Sequence, residues 1–391
     1  MPVATKDAKS LLKRVLDLAG ELLEADRIAQ AKRRQADVFA WREGDYLPIV
    51  FGAPVQEAEA LPEFDWAEQF ADPAASLYMQ IRNEILPAAA AGCDFVPTVR
   101  ADTGVINGPS VLGAPYDVPA HTKPVINAHV PRAELAVFEV PDDITALGVV
   151  PTMVEHTHHH LAALDEAGLS KLVGVRHCDL QGPFDIAAQA RGHDETFLDM
   201  YVDQDFFHAL MEKSLDIFVK LARLSKTLAG DPIDSGHANE YWMDAGSVRL
   251  CDDSGILVSA EMFAELLAPY VGRALEPFGG GWIHYCGGIP DGNRPEGLHL
   301  HEIYCAIPKM RGLQFTTGGD WPGEIKKVVD RKVACLGSLP RGAGEPLDEY
   351  FRRVLALCDG RRGMIFHAPV AHDETRAAME TWHRAQDEIF A

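Results

Sequence analysis

The sequence predicts a (β/α)₈ barrel with an N-terminal helical extension and a long insertion after the second strand. Three observations predict it. Eight short apolar runs recur along the 391 residues, helical stretches fill most of the gaps between them, and no GxGxxG follows the first run, which disfavours an open dinucleotide-binding sheet. A chain of this length fits one barrel with insertions, so residues 1–44 are read as the extension and 45–391 as the barrel domain.

Within the extension, Leu11, Leu12, Val15, Leu16, Leu18, Leu22 and Leu23 recur among charged residues at helical spacing, predicting one or two amphipathic helices from Ser10 to about Phe39. The first strand is expected within Tyr46 to Gly52, bounded by Gly44 and Pro54, and the second within Phe95 to Arg100. Between Ala101 and Asp143 the glycines and prolines predict a long irregular excursion, and excursions of that kind usually serve function. A helix from about Thr152 to Ala167 leads to a third strand at Leu172 to Cys178. Further strands are read at Ser247 to Cys251, Trp282 to Cys286, Gly312 to Thr317, Lys332 to Gly337 and Gly363 to His367, with helices at Asp199 to Leu228 and Ser259 to Leu275.

Composition narrows the class of partner. With 47% hydrophobic and 24% charged residues the chain is an ordinary globular protein, and a formal charge of −22 opposes binding to phosphate backbones or anionic lipid. Neither a nucleic acid nor a membrane is expected as partner; a small-molecule substrate is. The seven cysteines are scattered without a CxxC, so they do not read as a disulfide framework, and a reducing cytoplasm is the natural compartment. Residues 1–14 lack a cleavable apolar core, and no later stretch is long and apolar enough to span a bilayer.

His284 and Cys286 carry the chemistry. In an extended segment residues i and i+2 point the same way, so an imidazole and a thiol face one spot at the C-terminal end of a strand. That donor pair suits Zn²⁺ better than the oxygen-seeking Mg²⁺ or Ca²⁺; the alternative is a buried cysteine and a hydrogen-bonded histidine. A catalytic zinc generally has three protein ligands, and either His367 or Cys335 is expected to complete the set, with His367 preferred because it emerges from an apolar strand. Because strand C-termini converge on one face of a barrel, further candidates are Asp102, His177, Cys178, Asp179, Asp252 and Asp253 (after the fifth strand or its neighbour), Glu240, Asp320 and Ser338. Of these Asp179, Glu240 and Asp320 are the expected catalytic groups. Tyr116, Tyr241, Trp242 and Trp321 are candidate pocket aromatics. Asp252-Asp253-Ser254 reads as a helix cap as easily as a catalytic pair, and Arg100 with Asp102 as a carboxylate-binding patch or an ordinary ion pair. The tract Glu155-His156-Thr157-His158-His159-His160 lies on a predicted outer helix and is expected to be a solvated surface. No HExxH, P-loop or GxSxG occurs.

Taken in order, Tyr46-Leu47-Pro48, Asp179-Leu180-Gln181-Gly182-Pro183-Phe184, Asp252-Asp253-Ser254-Gly255-Ile256-Leu257-Val258-Ser259, Pro269-Tyr270, His284-Tyr285-Cys286-Gly287-Gly288 and Gly318-Gly319-Asp320 resemble the uroporphyrinogen decarboxylase superfamily, most closely its corrinoid-linked methyltransferase branch. The resemblance implies a barrel whose zinc is held by a His-x-Cys pair and a distant Cys in the last strand's loop. Here His367 stands near where that Cys is expected. It also implies methyl transfer between a small-molecule donor or thiol acceptor and a corrinoid protein. The other branch implies cofactor-independent decarboxylation with paired N-terminal arginines, a pattern that Lys32-Arg33-Arg34 and Arg42-Glu43-Gly44 do not reproduce. A binding barrel without turnover is the third reading, motivated by the missing terminal Cys.

Overall fold

Among the residues described by the computed structural model, 7–287, 296–315 and 321–391, eight short parallel strands follow one another around a closed barrel. They are β1 (Ile49–Val50), β2 (Thr98–Val99), β3 (Gly174–Val175), β4 (Val248–Cys251), β5 (Gly281–Tyr285), β6 (Met310–Phe315), β7 (Ala334–Gly337) and β8 (Met364–His367). Each coincides with an apolar run, as expected for strands buried on both faces. β4 to β8 pair in sequence and β8 pairs β1, while β2 pairs β3. Two links complete the ring. A parallel bridge joins Gln181, past β3, to Cys251 of β4, and the Asp94 amide donates to the Ile49 carbonyl at 2.9 Å.

Register decides what shares a face. Cys251 pairs His284, His284 pairs Gln314, Gln314 pairs Leu336, and Leu336 pairs Ile365. Side chains of directly paired residues point the same way, so these form one ring inside the barrel, and Ile283, Leu313, Cys335 and Met364 form the opposite ring facing the helices. A close approach occurs at Gly182, where a Cβ would meet the Cys251 carbonyl at 2.6 Å. Only glycine lets the β3 loop lie that near β4.

The extension forms two helices, α1 (Ala8–Leu22) and α2 (Ala25–Phe39). Leu12, Val15, Leu16 and Ala19 make the buried stripe of α1, joining Leu77, Tyr78, Ile81 and Ile85 in a second apolar cluster beside the main core. Burying each of the larger side chains contributes about 1.5–3 kcal/mol before ordering costs are subtracted. α2 is tied down by charge: Arg34 reaches Asp94 at 2.7 Å and Asp45 at 2.9 Å, and Asp94 in turn accepts the Ile49 amide at 3.1 Å. The excursion after β2 holds short elements, including a hairpin of Tyr116–Asp117 with Val125–Ile126 and a helix at Arg132–Val137.

One expectation is corrected. The histidine tract is solvated only in part: Glu155 and His158 are exposed, but the helix Val150–Glu166 is covered by the helices Pro73–Gln80 and Gln204–Ala229, leaving His156 2% and His160 0% exposed. All seven cysteines are free, and no described helix is long and apolar enough to cross a membrane.

Candidate metal centre and cavity

At the end of β5 the alternation of an extended chain brings His284 Nε2 to 3.1 Å from Cys286 Sγ. The other ring nitrogen, Nδ1, donates to Gln314 Oε1 at 2.8 Å on the neighbouring strand. Because a side-chain amide oxygen only accepts, the proton sits on Nδ1 and the Nε2 lone pair is free toward the thiol. From β4, the register partner Cys251 and, two residues on, Asp253 approach the same point: ligand atoms of Cys251, Asp253 and His284 lie within 4.8 Å of one another. Cys251 Sγ is 3.3 Å from Asp253 Oδ2, Arg249 Nη2 is 3.6 Å from that sulfur, and Asp253 Oδ1 accepts the Cys286 amide at 2.6 Å. Burial, with Arg249 adding to it, lowers the His284 pKa, so the ring is neutral, the form that ligates. An imidazole, thiols and one carboxylate make a donor set that suits a borderline-soft divalent ion.

A second layer of acids positions this group. Asp185 is fully buried and accepts the amides of Asp253 at 2.9 Å and Ser254 at 2.7 Å; burial, then Asp253 and Asp252, push its pKa well above the carboxylate range. Asp252 accepts the Tyr304 hydroxyl at 2.8 Å, donates its amide to the His284 carbonyl at 2.9 Å, and is pushed up to about 7 by burial. The Asp252-Asp253-Ser254 turn is thus a clamped loop after β4, the neighbour of the fifth strand.

His367 ends β8 in a different place. Its Nε2 lies 2.8 Å from Tyr241 Oη, and Gln314 Nε2 donates to that same oxygen at 3.2 Å, so the tyrosine proton is directed at His367. The structure brings His284, Gln314, Tyr241 and His367 into one hydrogen-bonded chain and leaves both His367 and Cys286 outside the group of Cys251, Asp253 and His284, with Cys286 Sγ touching its His284 member. Cys335 faces the helices with Cys305 and Cys358 as its charged-state neighbours, and burial raises its pKa. It is on the wrong face for the same ion.

His367 instead lines a cavity of about 760 Å³ at the barrel mouth, with Phe51 and Phe95 on its apolar wall and Arg100, Lys123, Arg176 and Arg249 among its charges. Asp179 sits between Arg100, at 3.1 Å, and Arg249, and Asp102 between Arg100, at 3.1 Å, and Lys123, at 3.0 Å. Burial works to raise the Asp179 pKa, but Arg100 and Arg249 hold it far below the usual range. Asp179 is a fixed counter-charge and holds no proton to give. Glu240, also in the wall, lies 3.5 Å from Arg176 and is hydrogen-bonded by Asn239 Nδ2. Ser338 lines the cavity too, as does Asn239, whose positive φ of 58° turns the hairpin Gly236–Ala238 and Tyr241–Met243.

Other candidates serve the scaffold. His177 Nδ1 bonds the Cys178 carbonyl at 2.8 Å while its Nε2 accepts the amides of Asn239 and Arg249, stitching β3 to β4. Cys178 is buried against Ser225. Trp242 meets Asp244 and the Lys32 ammonium, and Tyr116 lies tilted against Phe70 with ring centroids 6.3 Å apart. Asp320, with Gly318 and Gly319, Gly288 and the side chain of Trp321 lie outside the described residues. Sequence reasoning missed Cys251, Gln314, Arg176 and Arg249. The available signal was Cys251-x-Asp253, which repeats the i, i+2 spacing of His284-x-Cys286.

The uroporphyrinogen decarboxylase (URO-D) family model matches residues 34–227. The URO-D stretch runs from the middle of α2 through β1, β2 and β3, so it contains Arg100, Arg176 and Asp179 of the cavity, whereas Cys251, Asp253, His284 and Cys286 lie beyond it. A solved methyltransferase from Methanosarcina mazei shares the fold over the whole barrel, with a TM-score of 0.60 at 13% identity, covering 92% of this chain and 99% of that one. No curated protein matches the chain.

Proposed function

We propose that this URO-D-fold chain is a zinc-dependent methyltransferase that moves a methyl group between a small-molecule donor or thiol acceptor and a corrinoid carried by a partner protein. The observation that carries the reading is the 3.1 Å approach of His284 Nε2 to Cys286 Sγ, beside Cys251 and Asp253. The methyltransferase from Methanosarcina mazei that shares the fold supports it.

His284, Cys286, Cys251 and Asp253 are the groups that would hold zinc, and the bound ion would lower the pKa of a thiol or draw electrons from a methylated oxygen or nitrogen. Gln314 keeps the His284 proton on Nδ1, leaving Nε2 as donor. Burial pushes the Cys251 thiol pKa well above its ordinary value, and Arg249, at 3.6 Å from the sulfur, works against that shift. Asp253 offers one carboxylate oxygen while its other fixes the Cys286 backbone. Asp179 holds Arg100 and Arg249 in place, so in this reading it is a positioning group rather than a proton carrier, and Glu240 stands 3.5 Å from Arg176 in the cavity wall. Metal analysis of the purified protein should find stoichiometric zinc, lost in His284→Ala and Cys286→Ser together with methyl transfer from a methylated corrinoid to a thiol. Full occupancy in both variants would overturn the proposal.

A further inference from the structure

We propose that the cavity takes a small monocarboxylate with an apolar body, anchored through its carboxylate on Arg176. This names the substrate class for the methyl-transfer reading, and it rests on that reading only for what happens to the molecule once bound.

Three guanidinium groups stand on successive strands: Arg100 just past β2, Arg176 just past β3 and Arg249 within β4. Arg100 has two carboxylate contacts of 3.1 Å, and Arg249 grips Asp179 on one side and Cys251 on the other. Arg176 is different. Its contacts to Glu84 and Glu240 are both 3.5 Å, at the outer limit of a hydrogen bond, and its Nε, like those of Arg100 and Arg249, has no partner. The Arg176 side chain is 9% exposed, whereas those of Glu84 and Glu240 are 50% and 22% exposed, so both counter-charges are wetter than the cation. Burial, then repulsion from Arg100, lowers the basicity of Arg176, while carboxylates raise that of Arg100 and Arg249 against the same burial. A buried, under-neutralised guanidinium in a chain of net charge −22 is not the by-product of a basic surface.

The planar fork of arginine matches one carboxylate in two parallel hydrogen bonds. Of the three guanidinium groups only Arg176 holds its carboxylates at that outer limit, so its fork is the one that a single ligand carboxylate can take over. Val50, Phe51, Pro87 and Phe95 supply apolar wall for the rest of the ligand, and about 760 Å³ falls within the span of small-molecule sites. Arg249 touches both the cavity and Cys251, so a ligand anchored at Arg176 lies in a space that borders the metal group.

Calorimetry with benzoate and its neutral isostere benzamide tests this on the metal-loaded protein. Benzoate is expected to bind at least roughly tenfold more tightly than benzamide, the scale of one charge-assisted hydrogen bond. Arg176→Gln should erase that preference, and His284→Ala should keep it, so that loss of the metal chemistry and loss of the anchor are read separately. Should Arg176→Gln fail to fold, Arg176→Lys replaces it, expected to weaken benzoate and leave benzamide unchanged. Equal affinity for the two ligands, no binding of either at millimolar concentration, or an arginine variant that retains the full preference would each overturn the proposal.

Discussion

Gln314 Oε1 takes the Nδ1 proton of His284 at 2.8 Å, while the same amide's Nε2 donates to Tyr241 at 3.2 Å. The two bonds fix the amide's orientation, and with it the tautomer of the ring. Gln314→Leu should therefore weaken zinc binding by about 10–100-fold, the usual cost of removing the partner that orients a ligating histidine. Gln314→Glu, which keeps the acceptor, should recover most of it. Chelator competition measures both, and an unaltered affinity in the leucine variant would count against His284 as ligand.

The third donor is the next point of decision. Cys251→Ser is expected to lower metal affinity sharply, and His367→Ala to leave metal content unchanged, because the His367 nitrogen is spent on Tyr241. Elemental analysis of the two variants gives the opposite pattern if His367 is the ligand.

The eight strands and most helices were legible in the sequence, since strands covered on both sides appear as short uninterrupted apolar runs. The convergence of His284 and Cys286 was legible for a similarly local reason, the two-residue repeat of an extended chain. Cys251 was not. It ends an apolar run just as a core cysteine would, and only its pairing with His284, a contact between separate strands, turns it toward the same ion. The charged wall shows the same division: Arg100 and Asp102, two residues apart, could be read as a pair, but Asp179 between two arginines from different strands could not. His156 and His160 looked solvated because the two helices that cover them are distant in sequence.

Those histidines give a pH dependence. Burial, then His156 and His159, hold the His160 pKa down at about 3, against 6.5 for the free side chain. Between those values the unfolded chain binds the extra proton, so stability rises with pH: the contribution is whole above about 6.5 and is lost as pH falls toward about 3. His160→Phe should flatten the urea-denaturation profile between roughly pH 6 and pH 4 by up to about 1.4 kcal/mol per pH unit. A slope matching that of the unmutated protein would show that the ring is not kept neutral.

Gly182→Ala tests the seam between β3 and β4. Its methyl group would meet the Cys251 carbonyl at 2.6 Å and Leu250 at 2.9 Å, in place of the bond by which the Gly182 amide reaches that carbonyl at 2.7 Å. A loss of about 1–3 kcal/mol on denaturation is expected, together with weaker metal binding, since Cys251 must shift. Destabilisation with normal metal affinity would mean that the strain relaxes away from the thiol.

Asp185 grips the backbone of Asp253 and Ser254, Asp253 grips that of Cys286, and Asp252 is bonded to the carbonyl of His284. The turn after β4 works as a latch shared by two strands. Tripping it would scatter both sulfurs while every rung of the barrel stayed in place, so gentle heating should spill the ion well before the protein melts.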